Sequence, residues 1–114
     1  MTIAIPVKTL SINPTIASLF ANAKFFAYSR DGELGIEKME EERGRDVART
    51  LIAQNIDILI TSQLGFKPFV LLKSYGIQIY FAGVEELTAA DLLNQFHAGA
   101  LVEVTPENFG TLLD

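Results

Sequence analysis

Apolar side chains occupy nearly every position of the first segment, residues 2–8. Such a near-continuous apolar run is typical of a central strand that is buried on both faces of a sheet. Pro6 cannot donate a ladder hydrogen bond, so we expect it near the end of this strand or at a bulge. The polar, turn-rich residues 9–14 predict a loop.

Two further strands joined by a hairpin are predicted next. Residues 24–29 are rich in aromatic side chains, and residues 34–39 supply the return strand. Between them lie Asp31 and Gly32, the Asp-Gly pair that favours a tight hairpin turn. The first part of the chain therefore predicts a β-meander.

The apolar period then becomes helical over residues 46–54, where Val47 and Leu51 share one face. Asp46 suits the N-cap or the first turn, because a carboxylate is stabilised at a helix N-terminus. Residues 57–61 follow as a short apolar strand of the kind found in buried parallel sheets.

A second helix is predicted over residues 67–75. Pro68 suits its first position, and Gly76 suits the residue just after its last turn. The strand-like residues 77–81 come next. With the strand at 57–61 they complete a β-α-β unit.

The last part of the chain predicts a helix, a short strand and a final helical turn. Thr88 begins a segment that resembles a capping box, and Gly99 ends this helix. Residues 101–104 are strand-like, and Pro106 suits the first position of the final helix. Since no linker or repeat interrupts the chain, residues 1–114 are predicted to form one α/β domain. Its helices pack on a mixed sheet of three meandering strands plus the β-α-β unit.

The predicted topology places a binding crevice where the first strand and the strand at 57–61 lie side by side and parallel. In open α/β sheets, ligands bind beyond the carboxyl ends of the strands where chain order reverses. The facing loops contribute Ser11 and Asn13 on one side and Ser62, Gln63 and Gly65 on the other. The second loop leads into a helix N-terminus, which favours an anion, and Lys67 adds a positive charge there. Arg45 adds another if its helix start faces the crevice.

Composition excludes several classes of protein. The 114 residues include no cysteine and one histidine, His97, which is predicted to be exposed on its helix. Disulfide scaffolds, thiolate catalysis and Cys-ligated iron–sulfur sites are therefore ruled out. Nine Lys and Arg against fourteen Asp and Glu give a net charge of −5, which argues against nucleic acid and anionic membranes as partners. We expect a cytoplasmic protein.

No catalytic set and no metal-ligand set stands out. Gly65 and Lys67 lack the remaining residues of a phosphate-binding loop. The three acids at 40–42 point to different sides on any regular element, so they do not converge on one metal ion. An RNase-H-type hydrolase needs acids on neighbouring strands, and the first strand carries none. We predict no catalytic and no metal-ligating residues.

With these motifs in place, the chain resembles the dinitrogenase iron–molybdenum cofactor-binding family, the accessory proteins of nitrogenase cofactor assembly. The resemblance covers the first strand to about Gly99. It rests on residues 3–7, 18–26, 44–48, 57–61 with Gly65, and 71–77. It implies an RNase-H-like three-layer α/β fold and a role in binding a cluster rather than in catalysis.

The chain departs from the family pattern at several positions of the expected site. Leu19, Ala21 and Asn22 stand where members have histidine, glycine and arginine. Asp46, Ser62 and Phe66 replace two glycines and a proline. The resemblance implies an iron–molybdenum cofactor or an iron–sulfur cluster as ligand. Without thiolate or imidazole near the crevice, helix N-terminal amides and Arg45 or Lys67 would hold it. Asn22, which stands at the family's arginine position, is a further candidate for contact with the cluster.

Three hypotheses follow. The first is a non-enzymatic accessory protein that holds an anionic metallocluster at the crevice. The second is a ligand-less interaction module of the same fold, acting through protein contacts as a homodimer or beside a nitrogenase-type protein. The third, a metal-dependent hydrolase, is the least favoured for want of converging acids.

Overall fold

In the computed structural model, residues 1–113 are described, and they form six strands and four helices. The strands are β1 (Thr2–Val7), β2 (Phe25–Arg30), β3 (Glu33–Lys38), β4 (Ile58–Thr61), β5 (Gln78–Phe81) and β6 (Val102–Glu103). The helices are α1 (Gly44–Ala53), α2 (Phe66–Ser74), α3 (Ala89–His97) and α4 (Phe109–Leu112). Within the described part of the chain, none of these helices has the length and hydrophobicity needed to cross a bilayer.

The strands form one mixed sheet in the order β3-β2-β1-β4-β5-β6. β1, β2 and β3 are antiparallel neighbours, whereas β1, β4 and β5 run parallel to one another, and β6 returns antiparallel to β5. The meander, the β-α-β unit and the parallel pairing of β1 with β4 are all confirmed. The mixed α/β sheet predicted from the sequence is therefore correct.

The central strands are buried on both faces, which makes this a three-layer structure. Ile3, Ile5 and Ile60 belong to a cluster with α3 on one side. On the other side, Ala4 and Leu59 belong to a larger cluster with α1, α2 and α4. Because successive side chains of a strand point to opposite faces, a run of apolar residues is what a central strand requires.

Most of the predicted turn and cap residues are confirmed. Pro6 lies next to the end of β1. Asp31 and Gly32 both have positive φ, 51° and 84°, as a tight hairpin turn with matching twist requires. Gly76 has φ 78° and follows Tyr75, the C-cap of α2. The Thr88 side chain accepts a hydrogen bond from the Asp91 N–H at 3.2 Å and caps α3.

The predicted starts of two helices are wrong. α2 begins at Phe66, so Pro68 is its third residue and not its first. Proline is tolerated at this position as well, because the N–H groups of the first turn have no intrahelical acceptor and the missing N–H breaks no bond. α4 begins three residues after Pro106. The Thr105 N–H donates to Asn108 Oδ1 at 2.8 Å, and the Asn108 N–H donates to Thr105 Oγ1 at 3.3 Å. This reciprocal pair has the pattern of a capping box, and the Phe109 N–H donates to the Thr105 carbonyl at 3.0 Å, so residues 105–108 form one helical turn directly before α4.

Replacing Leu59 with alanine should destabilise the fold strongly. The side chain is fully buried between β1, β5 and the helices of the larger cluster, so Leu59→Ala leaves a cavity and should cost about 2–5 kcal/mol of unfolding free energy. Urea unfolding followed by circular dichroism measures this. The matched control Val70→Ala removes an aliphatic side chain of α2 that is 47% exposed and should change stability by less than about 0.5 kcal/mol. Equal losses in the two variants would contradict the assignment of this core.

Tyr28 should make stability depend on pH at the alkaline end. The residue is 2% exposed, and the Arg30 guanidinium lies 4.7 Å from its ring centre. Burial, assisted by the Glu37 carboxylate and opposed by Arg30, raises the pKa of Tyr28 to about 12. The unfolded chain therefore loses this proton first, near the ordinary tyrosine pKa of about 10. The stability that Tyr28 contributes is full below that pH and is lost as the pH rises toward 12.

The measurement is the urea midpoint of the wild type and of Tyr28→Phe between about pH 9 and pH 11.5. The wild type should lose about 2 kcal/mol more than the variant over this interval. Ultraviolet absorbance of tyrosinate follows the same ionisation directly. Parallel pH profiles for the two proteins would show that Tyr28 is not the group responsible.

Candidate functional site

A cleft of about 520 Å³ opens at the sheet edge where β1, β4 and β5 end. Three segments supply most of its walls: residues 18–22, which lead into β2, residues 62–65 after β4, and residues 83–86 after β5. Leu112 and Leu113 close one side. Because β1, β4 and β5 are parallel, their carboxyl ends meet at this edge, which is the switch point predicted from the sequence.

Four of the eight predicted site residues line the cleft: Asn22, Ser62, Gln63 and Gly65. The loop after β4 is held in place by its own side chains. Ser62 Oγ donates to the Gly83 carbonyl at 3.0 Å, and the buried Thr61 donates through Oγ1 to the Gln63 carbonyl at 3.2 Å. The Ser62 bond ties this loop to the loop after β5, and the Thr61 bond fixes the turn at the end of β4.

Ser11 and Asn13 are exposed and lie outside the cleft lining. The chain folds back beside the end of β1, since the Lys8 N–H donates to the Thr15 carbonyl at 2.9 Å and the Ala17 N–H donates to the Pro6 carbonyl at 2.8 Å. Residues 9–13 therefore project from this turn as an exposed loop. The place opposite residues 62–65 is taken by the segment 18–22, whose Phe20 N–H donates to the Gln63 carbonyl at 3.2 Å.

Arg45 and Lys67 are also exposed and outside the cleft lining, each as the second residue of its helix. Their helix starts nevertheless lie side by side. A Cβ atom on Gly44 would be 3.1 Å from Pro68 Cγ, and one on Gly65 would be 3.5 Å from Pro68 Cδ. Pro68 thus touches the first residue of α1 and the N-cap of α2, and the latter borders the cleft.

Neither α1 nor α2 has a side-chain cap at its start within the described residues. The first-turn N–H groups of a helix have no intrahelical acceptor, and the helix dipole adds partial positive charge there. Arg45 and Lys67 add two full positive charges. The two helix starts around Pro68 thus combine free amides and two cations with one carboxylate, that of Asp46 in the first turn of α1.

The opposite wall of the cleft carries Glu85 and Glu86, which were not among the predicted residues. Lys8 Nζ lies 2.7 Å from Glu86 Oε1 and offsets one of these charges. They follow β5 as Ser62 follows β4, so the rule that identified Ser62 would have found them too. Leu112 and Leu113 gave no such signal, because nothing local shows where the end of the chain packs.

The donor set does not fit direct coordination of a soft metal. Among residues 1–113 no group of three or more His, Cys, Asp or Glu side chains is placed to hold a metal ion. His97 is exposed at the end of α3, as predicted, with its ring 5.3 Å from that of Phe96. A metal cluster in the cleft would thus meet backbone amides, hydroxyl and amide side chains and nearby cations. It would meet no thiolate or imidazole ligand among the lining residues.

Solved structures with the same fold support this architecture. The apo orange protein from Desulfovibrio gigas superposes with a TM-score of 0.81 at 19% identity, over 91% of this chain and 92% of that one. A Thermotoga protein provisionally assigned as NifB superposes at 0.75 with 24% identity, over 93% and 97%. A protein provisionally assigned as a dinitrogenase, from Methanocaldococcus jannaschii, superposes at 0.68 with 17% identity, over 92% and 95%. At such identities these matches show the fold; the RNase-H-like label stays a prediction.

A comparison with curated proteins finds no match. The family model described as dinitrogenase iron–molybdenum cofactor matches residues 1–99, which include every strand except β6 and every helix except α4. The family resemblance noted from the sequence is confirmed. The chain belongs to the dinitrogenase iron–molybdenum cofactor family.

Proposed function

We propose that this protein is a non-enzymatic accessory protein that carries an anionic metallocluster of the iron–molybdenum or iron–sulfur type as cargo. The cargo would be held beside the cleft and passed to a nitrogenase-type partner in the cytoplasm. The observation that carries the proposal is the meeting of two uncapped helix starts at Pro68, next to the cleft, in a member of this family.

The electrostatics of the cleft support an anion on one side only. Free amides at the start of α2, together with Arg45 and Lys67, favour negative charge near Gly65. Glu85 and Glu86 on the opposite wall repel it. An anionic cargo would therefore bind toward α2 and leave the rest of the cleft to apolar contacts.

A carrier must be able to release its cargo. Hydrogen bonds and charge interactions with the outer atoms of a cluster allow this release more readily than direct bonds to its metal ions do. Gln63 and Asn22 line the cleft with side-chain amides that can donate hydrogen bonds to an anion, whereas the Ser62 hydroxyl proton is already donated to the Gly83 carbonyl. The same donor set supports a role without catalysis. The single imidazole lies on α3 outside the cleft lining, and the chain contains no thiol.

A second candidate function is an interaction module of the same fold that binds no cluster. It is favoured by the exposed apolar side chains at the cleft end of the molecule, above all Ile12 and Val84. The binding experiment that follows separates the two functions.

Removing the two cations at the helix starts should weaken cargo binding. Anaerobic gel filtration of the protein with isolated iron–molybdenum cofactor should give co-eluting molybdenum and visible absorbance near one cluster per chain. The double variant Arg45→Ala/Lys67→Ala should bind about 2- to 30-fold more weakly, since each exposed charge contributes roughly 0.2–1 kcal/mol. Added salt should reduce the difference.

The matched control is Arg49→Ala/Lys73→Ala, which removes the same charge from the same two helices away from their starts. Arg49 pairs with Asp46, and Lys73 pairs with Glu103, so this variant should bind nearly as the wild type does. Equal weakening in both variants would mean that only net charge matters. Absence of molybdenum from the folded wild-type peak would refute the carrier function and favour the interaction module.

A further inference from the structure

Large apolar side chains are exposed at the same end of the molecule as the cleft. Ile12 is 99% and Val84 92% exposed, and Leu10 and Leu19 are exposed as well. Leu19 and Val84 border the cleft, whereas Leu10 and Ile12 lie on the exposed loop 9–13. Exposed apolar groups gathered in one region mark an interaction surface more often than scattered ones do.

This end is also depleted of charge. Residues 9–23 contain no Asp, Glu, Lys or Arg, and neither do residues 62–66 or 82–84. The centre of a protein–protein interface is typically depleted of charged side chains in this way. The charged residues that border these stretches in the chain are Lys8, Lys24, Lys67, Glu85 and Glu86.

Loop 9–13 and the cleft supply an apolar protrusion and a partly apolar recess at the same end of the molecule. The loop presents an aliphatic knob at Ile12. The cleft is a concavity of about 520 Å³ whose lining includes Leu19, Phe20 and Leu64, with ample room for one aliphatic side chain. The loop and the cleft lie at the same edge of the sheet. The loop follows β1 and the cleft walls follow β4 and β5, and these three strands run parallel.

We propose that this end of the protein is the interface of a homodimer, in which loop 9–13 of each copy inserts Ile12 into the cleft of the other. A knob and a recess on the same face are what a two-fold interface requires, since each surface patch then meets its own counterpart. The flanking charges are self-complementary too, because Lys8 of one copy can face Glu85 of the other.

A second copy fits this surface better than a lipid bilayer does. Apolar loops that dock on membranes are usually accompanied by Lys and Arg, which attract anionic lipids. Here the bordering charges are of both signs, lysines together with Glu85 and Glu86, and the chain carries a net charge of −5. The inserted loops would shield the apolar lining of both clefts from water in protein that carries no cargo.

Sedimentation equilibrium of the cargo-free protein tests the dimer independently of the proposed cluster binding. At about 0.1 mM the wild type should have twice the 12.5 kDa mass of the chain. Ile12→Lys places a charge in the apolar recess and should raise the dimer dissociation constant at least about tenfold. Circular dichroism should show the wild-type fold, because the replaced side chain is exposed in the monomer.

The matched control is Tyr75→Lys, which adds the same charge at an exposed aromatic residue at the end of α2, near the opposite edge of the sheet. It should dimerise as the wild type does. A monomeric wild type at this concentration would overturn the proposal. So would an unchanged dissociation constant for Ile12→Lys, or an equal increase for Tyr75→Lys.

Because the chain lacks cysteine, single cysteines report the geometry directly. Chains carrying Ile12→Cys mixed with chains carrying Leu19→Cys should form a disulfide-linked heterodimer under mild oxidation, since a disulfide needs Cα atoms within about 7 Å. Ile12→Cys mixed with Tyr75→Cys should not. Equal yields in the two mixtures would refute insertion of the loop into the cleft.

Discussion

The parallel pairing of β1 with β4 is the contact on which the position of every cleft wall depends. Ile3 lies opposite Ile58, and Ala4 lies opposite Leu59. At the amino-terminal end of the two strands, away from the cleft, the Thr2 N–H donates to Asp57 Oδ2 at 2.8 Å and the Asp57 N–H donates to the Thr2 carbonyl at 2.9 Å. Since both strands are buried on both faces, a slip by one residue would exchange the two apolar sets. The register is therefore fixed, and the loops after β1 and β4 leave from one edge.

The second constraint is the contact of α1 with α2 at Pro68. Gly44 allows the first residue of α1 to approach the proline ring, because a side chain there would stand only 3.1 Å from Pro68 Cγ. This close approach brings two helix starts together next to the loop that ends at Gly65. Free amides from both helices and the side chains of Arg45 and Lys67 thereby lie close together, and they are the basis of the proposed cargo site. The apolar remainder of the cleft lies at the same end of the molecule as loop 9–13, which suits this end to contact with another protein surface.

Most of the fold could be predicted because its signals are local. A continuous apolar run predicted the central strand, and Asp31-Gly32, Gly76 and Thr88 marked a hairpin and two helix boundaries through their backbone and capping preferences. The starts of α2 and α4 were misplaced by two or three residues. A proline is compatible with several first-turn positions, and the Thr105–Asn108 turn depends on side-chain hydrogen bonds that residue type alone does not specify.

The sequence by itself determined the order of the first five strands, the edge at which the cleft opens and the loop after β4, since each follows from strand burial and topology. The tertiary structure alone decided which residues share the cleft. It moved Ser11 and Asn13 outward, through backbone hydrogen bonds that return the chain beside β1, and it brought in Leu112 and Leu113 from the far end of the chain. The physical reason is that strand burial is a property of each segment, whereas the path of a loop depends on distant groups that satisfy its backbone.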